Sequence, residues 1–150
     1  MKLEEEIMQT KPFKSELQKL ILNINFTSSW LNSMASEFLK NFDITAPQYN
    51  VLRILKGRFP KTYCNQEITA RMIDKNSNAT RIVDKLISKG LAQRSENKSD
   101  RRAVEITITE KGLNLLETID ESEFGHIEKR LKVDEENAKL MNNWLDQLRG

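Results

Sequence analysis

Apolar positions recur at helical spacing over most of this chain. From Phe13 to Lys40 they fall at Phe13, Leu17, Leu20, Ile21, Ile24, Leu31, Met34, Ala35 and Phe38, which predicts one long helix with Pro12 in its first turn. At 1.5 Å per residue it is roughly 40 Å long, more than a small domain can cover, so its apolar stripe needs a partner beyond its own domain. Asn41 to Ala46 breaks the pattern. Thr45, Pro47 and Gln48 then form a capping-box start for a second helix with Tyr49, Val51, Leu52 and Leu55 inward, ending near Gly57. Phe59 to Cys64 reads as a loop with room for a short strand. Asn65 is the expected cap of a third helix, Gln66 to about Ile73, with Ile68, Met72 and Ile73 inward.

After the polar turn Asp74-Lys75-Asn76-Ser77, a fourth helix is expected over Asn78 to Lys89, capped by Ser77 or Asn76. Its apolar face is Ala79, Ile82, Val83, Leu86 and Ile87, and Gly90 stops it. The period then changes to two. Leu91–Arg94 and Ala103–Ile108 read as strands around the charged turn Ser95 to Arg102. Thr109 caps the next helix, whose apolar face runs through Leu113, Leu116, Ile119, Ile127 and Leu131, with Gly125 weakening its middle. Asp134 caps a last one carrying Leu140, Met141, Trp144, Leu145 and Leu148. The fold class is therefore mainly α with a small β-hairpin.

Composition narrows the class. Gly and Pro number only 5 and 3, in keeping with long helices, and one Cys cannot form an internal disulfide. No run of ~18 apolar residues exists to span a membrane. Met1 to Glu6 is acidic and lacks a signal-peptide core. A soluble cytoplasmic protein is expected. The net charge of +2 hides an uneven distribution. Residues 75–102 carry eight Lys/Arg against three Asp/Glu, a local +5, whereas residues 103–150 carry six against eleven, a local −5. A positive stripe attracts a polyanion, and DNA is the commonest.

Two short helices joined by a tight polar turn and followed at once by a hairpin form a winged helix-turn-helix. An α-helix fits the ~12 Å major groove, provided that one face is apolar for its own domain and the other polar for bases and phosphates. In the Asn78–Lys89 helix, Asn78, Arg81, Asp84, Lys85 and Ser88 lie opposite the apolar set, with Asn76, Ser77 and Thr80 at its leading end. Arg81 can fork onto a guanine or a phosphate. At the hairpin tip, Arg101 and Arg102 suit a narrow minor groove, and Asp100 can hold an Arg in one rotamer.

Three stretches resemble the MarR (multiple antibiotic resistance regulator) family of bacterial winged-helix repressors. They are Ile44 to Leu52, Asn78 to Leu91, and Asp100-Arg101-Arg102 leading through Ala103 to Ile108 into Thr109-Glu110-Lys111-Gly112. The resemblance implies three regions: an N-terminal dimerisation helix (1–42), a winged helix-turn-helix DNA-binding domain (43–110) and C-terminal dimerisation helices (111–150). It implies a homodimeric transcriptional repressor on a pseudo-palindromic operator, released by a small aromatic or anionic ligand bound between two lobes. Ser77, Asn78, Thr80, Arg81 and Lys85 would face double-stranded DNA, and Arg101 and Arg102 would serve the minor groove, with Asp100 orienting the wing. Leu17, Leu20, Ile24, Leu140, Met141, Trp144, Leu145 and Leu148 would form the dimer contact.

Other chemistry has little support in the sequence. Thiol-sensing members carry their Cys near the start of the first helix. Here the one Cys is Cys64, just before the third helix, where a buried hydrophobe and a redox sensor are the two readings. His126 with Glu123 and Glu128 lacks metal-ligand spacing, and no metal or cofactor is expected. Trp30 and Trp144 fit core or dimer packing, with a ligand-pocket lining as the other reading. No Gly-rich phosphate loop, nucleophile elbow or carboxylate pair suggests an enzyme. A winged helix that binds protein, as an assembly adaptor, remains the alternative to a DNA binder.

Overall fold

The computed structural model describes residues 2–96, 104–122 and 131–150. The wing residues Asp100, Arg101 and Arg102 lie outside that set, as do Glu123, Gly125, His126, Ile127 and Glu128. The chain divides into two compact units, Met1–Leu113 and Asn114–Gly150.

The first unit opens with a short helix, α1 (Leu3–Glu6), which the apolar pattern did not announce. Glu4 joins it to the next helix through Lys19, 2.6 Å away. That helix, α2, runs Glu16–Leu39 and so starts three residues later than the periodicity predicts. The cause is Ser15, whose extended backbone and side chain accepting from the Gln18 amide make it the cap. Twenty-four residues still give roughly 36 Å. Among its side chains only Leu39 is buried, and Leu17, Leu20, Ile21 and Trp30 are exposed.

A 3₁₀ turn (Lys40–Phe42) leads to α3 (Ala46–Lys56). Its start is the predicted capping box: the Gln48 amide donates to Thr45 Oγ1 at 3.4 Å, and Gln48 Oε1 accepts the Thr45 amide at 3.1 Å. This is why the polar Gln48 can be buried. Val51, Leu52 and Leu55 are buried, while Tyr49 is only half-buried. α3 packs against α2, α4 (Asn65–Arg71), α5 (Ala79–Ser88) and the hairpin strand β2 (Val104–Ile108).

Two helix boundaries differ from expectation. α4 is capped by Cys64, not Asn65, because the Glu67 carboxylate takes the Cys64 amide at 2.9 Å. It also ends earlier, since Met72 turns extended at ψ 142°. Met72 stays buried, but the next residue swings outward: Ile73, predicted inward, is 87% exposed. Its amide is held instead by Asn50 Oδ1 of α3 at 3.1 Å. α5 is capped by Asn78 rather than Ser77 or Asn76, and Gly90 stops it at φ 71°, as predicted.

β1 (Ala92–Glu96) pairs antiparallel with β2, Ala92 opposite Ile108 and Glu96 opposite Val104. Tyr63 adds a single bridge, exchanging both backbone bonds with Ile106 at 2.9 and 2.8 Å. The predicted strand in the loop before α4 is thus one residue long. Thr109 then caps α6 (Glu110–Glu121), accepting from the Gly112 amide at 3.1 Å. In the second unit Leu116 and Ile119 of α6 are buried, and Leu131 is exposed. Asp134 caps α7 (Glu135–Arg149), as expected, and no residue of that helix is buried.

Gly112 sits where a side chain has no room. A Cβ there would lie 2.3 Å from the Leu91 carbonyl oxygen and 2.7 Å from Ile108 Cγ1. Gly112→Ala should therefore destabilise the fold by about 1–3 kcal/mol, the cost of overpacking, despite alanine's better helix propensity. Equilibrium urea denaturation checks this. A variant as stable as wild type would show that the hairpin base is not tightly packed.

Candidate nucleic-acid interface

Helix α5 is polar on one side because its other side is in the core. Ala79, Val83 and Leu86 are buried against α3, α4 and β1, and Ile82 and Ile87 are half-buried. At 100° per residue, Thr80, Arg81, Asp84, Lys85 and Ser88 then fall within an arc of roughly 140°. All five are exposed. The predicted groove-facing residues Thr80, Arg81 and Lys85 are thereby brought onto one face.

Ser77 and Asn78 are more committed than the sequence suggested. Asp74 organises the turn before α5. Its Oδ1 accepts the Asn76 amide at 2.9 Å, and its Oδ2 accepts the Ser77 hydroxyl at 2.8 Å. These bonds hold the Asp74 carboxyl below the ordinary carboxylate range, the Ser77 hydroxyl contributing most. Asn78 Oδ1 accepts the Arg81 amide at 3.0 Å, so that oxygen is used by the helix cap. Ser77 is half-buried and Asn78 exposed. The turn is tied further by Lys75, whose ammonium donates to the Ala70 carbonyl.

Sequence reasoning passed over one contact of this face. Arg94 of β1 reaches across to Asp84 of α5, Nη2 to Oδ1 at 2.5 Å. Asp84 is the one acidic residue of α5, and strand periodicity said nothing about where Arg94 points. The available signal was a lone acid on an otherwise basic helix face, which needs a neighbouring cation.

Next to α4, two guanidinium groups lie over the buried Tyr63 ring, Arg58 at 4.7 Å and Arg71 at 5.3 Å from its centroid. Arg58 also bridges Glu67 at 2.7 Å. The Cys64 amide first, and Arg58 second, lower the Glu67 pKa. Cys64 itself is half-buried.

The residues assigned to dimer contact are apolar and largely uncovered: Leu17 and Leu20 on α2, and Leu140, Met141, Trp144 and Leu148 on α7, with Ile24 and Leu145 half-buried. Among the described residues no group of His, Cys, Asp or Glu could hold a metal ion, and no helix is long and apolar enough to cross a membrane.

Comparison with known proteins agrees with this architecture. The family model described as MarR family matches residues 44–104, from the residue before the α3 cap to the first residue of β2. The HTH-type transcriptional regulator PapX of Escherichia coli is 28% identical over 109 residues, which cover 72% of this chain and 65% of PapX. The crystal structure of a MarR transcription factor from Planctomyces limnophilus superposes with TM-score 0.68 at 28% identity, covering 91% of this chain and 95% of that one. A mutant MarR from E. coli complexed with operator DNA gives TM-score 0.78 at 22% identity, over 92% and 99% of the two chains.

If Asp74 organises the turn, Asp74→Ala should speed amide hydrogen exchange at Asn76 while leaving exchange at the buried Leu86 unchanged. The depressed carboxyl also fixes a sign. Its stabilisation is present above the ordinary carboxylate range and is lost as pH falls through the lower, folded-state pKa. Exchange measured by NMR in the two proteins checks the first point, and equal rates at Asn76 would assign the turn's order to other contacts. In its winged helix-turn-helix, its matched central region and its structural neighbours, the chain is similar to the MarR family of transcription regulators.

Proposed function

We propose that this protein is a DNA-binding transcriptional regulator, a cytoplasmic homodimer that represses from a pseudo-palindromic operator and answers to a small aromatic or anionic ligand. The observation that carries the DNA reading is the exposed arc of α5, where Arg81 and Lys85 stand one turn apart on the face away from the core. A helix so presented suits the major groove, and its two cations suit phosphates or guanine edges. Ser77, Asn78 and Thr80 complete that face, while Arg101 and Arg102, oriented by Asp100, would add a wing contact. A mutant MarR from E. coli with the same fold is complexed with operator DNA, which supports the DNA-binding reading. Similarity to HTH-type transcriptional regulators supports a regulator rather than an enzyme.

Dimerisation is supported by the uncovered apolar side chains of α2 and α7. Trp144 alone is 69% exposed. A second copy is the partner that a symmetric operator requires, since each half-site takes one such helix. The protein-adaptor alternative would not need Arg81 and Lys85 on its exposed face. The redox alternative rests on Cys64 alone.

Fluorescence anisotropy on genomic fragments selected for binding tests the proposal. Affinity should fall by about tenfold or more between ~50 and ~200 mM salt, because phosphate contacts release counterions. Arg81→Ala should weaken binding by about 1–3 kcal/mol without changing the sedimentation coefficient. Leu145→Asp should dissociate the dimer, and operator affinity should collapse with it. Salt-independent binding, or a folded Leu145→Asp monomer that binds like wild type, would overturn the proposal.

A further inference from the structure

Asp84 presents a problem that its surroundings solve. A carboxylate on the face proposed to meet DNA repels phosphates, and simple charge counting says that the protein would bind more tightly without it. Its position is nevertheless specific. On α5 it lies between Thr80 and Ser88, beside Arg81 and Lys85, and its Oδ1 receives Arg94 Nη2 at 2.5 Å. Arg94 sits in the middle of β1, opposite Ile106, whose side chain is fully buried in the core. The pair therefore joins the exposed face of α5 to the first strand of the wing, across ten residues of chain. Besides the backbone path through Gly90, it is a side-chain bond between these two elements.

We propose that Asp84 and Arg94 form a strut that sets the wing against α5, making both of them positioning residues for DNA binding and not phosphate contacts. This rests on the DNA-binding reading above. The two elements that grip DNA must hold a fixed mutual angle, because a helix in one groove and a hairpin in the next are placed by rigid geometry. Asp84 fixes the Arg94 guanidinium, and Arg94 in turn neutralises the Asp84 charge. An exposed ion pair contributes little to overall stability. Its effect here is on the angle, so it appears in binding.

The prediction is one of sign. Asp84→Asn removes a negative charge from the face that meets a polyanion, yet it should weaken operator binding by about two- to fivefold, the range of a single exposed ion pair. Arg94→Gln should weaken it similarly. In the Arg94→Gln background, Asp84→Asn should no longer weaken binding and should strengthen it, since only the repulsion is left to remove. The slope of log affinity against log salt should match wild type in Asp84→Asn. Binding of the three variants to the operator duplex, measured by anisotropy with thermal midpoints as folding controls, provides the test.

Tighter or unchanged binding by Asp84→Asn in the wild-type background overturns the strut. So does an Arg94→Gln salt slope shallower by about 0.9, which marks Arg94 as a direct phosphate contact. Failure of wild type to bind any selected duplex overturns the DNA reading itself, whereas wild-type binding with the wrong sign for Asp84→Asn overturns only the strut.

Discussion

The burial of one face of α5 is the constraint on which the rest of the first unit depends. Val83 and Leu86 are fully buried, and the helix is ten residues long, too short to be stable on its own. Its structure therefore comes from packing on α3, α4 and β1. With that face committed, the rotation of the helix is settled to within a few tens of degrees, and Arg81 and Lys85 have no choice but solvent. Apolar side chains thus aim the polar ones. A substitution in Leu86 would disturb the exposed face without touching any residue on it.

The leading end of α5 is held differently, by polar bonds in series. Asp74 binds the Asn76 amide and the Ser77 hydroxyl, and Asn78 binds the Arg81 amide. The Ile73 amide is anchored to α3 through Asn50. The turn is consequently connected to the core by hydrogen bonds on one side and to the helix by its cap on the other. A short turn needs this, because it buries too little apolar surface to be ordered by packing.

Much of this was legible in the sequence. Thr45-Ala46-Pro47-Gln48 announces its capping box because both partners lie within four residues. Gly90 and Asp134 are read as easily, since stop and cap signals are local. The apolar period of α5 was sufficient to place Thr80, Arg81 and Lys85 on the exposed side. What failed was any choice among neighbouring polar residues. Ser77, Asn76 and Asn78 are all good caps, and only the bonds from Asp74 decide for Asn78. Ile73 was misplaced because Met72 leaves the helix, a backbone change with no residue signature. Arg94 was missed because a strand pattern describes alternation and carries no information about a helix ten residues upstream. The wing residues Asp100, Arg101 and Arg102 remain a reading of sequence alone.

The junction below the hairpin has a consequence for how such a chain can vary. Thr109 Oγ1 donates to the Gly90 carbonyl at 2.7 Å and accepts from Gly112, while the Thr109 amide donates to the Leu91 carbonyl at 3.1 Å. The Lys111 ammonium reaches the Lys89 carbonyl at 2.8 Å. The end of α5, the start of β1, the end of β2 and the start of α6 are thus fastened together at one point. Closing a loop costs little more when the loop grows, so residues added beyond such a fastening leave the domain beneath it intact. The connection between the two strands can therefore change in length between relatives while the four segments at its foot stay as they are.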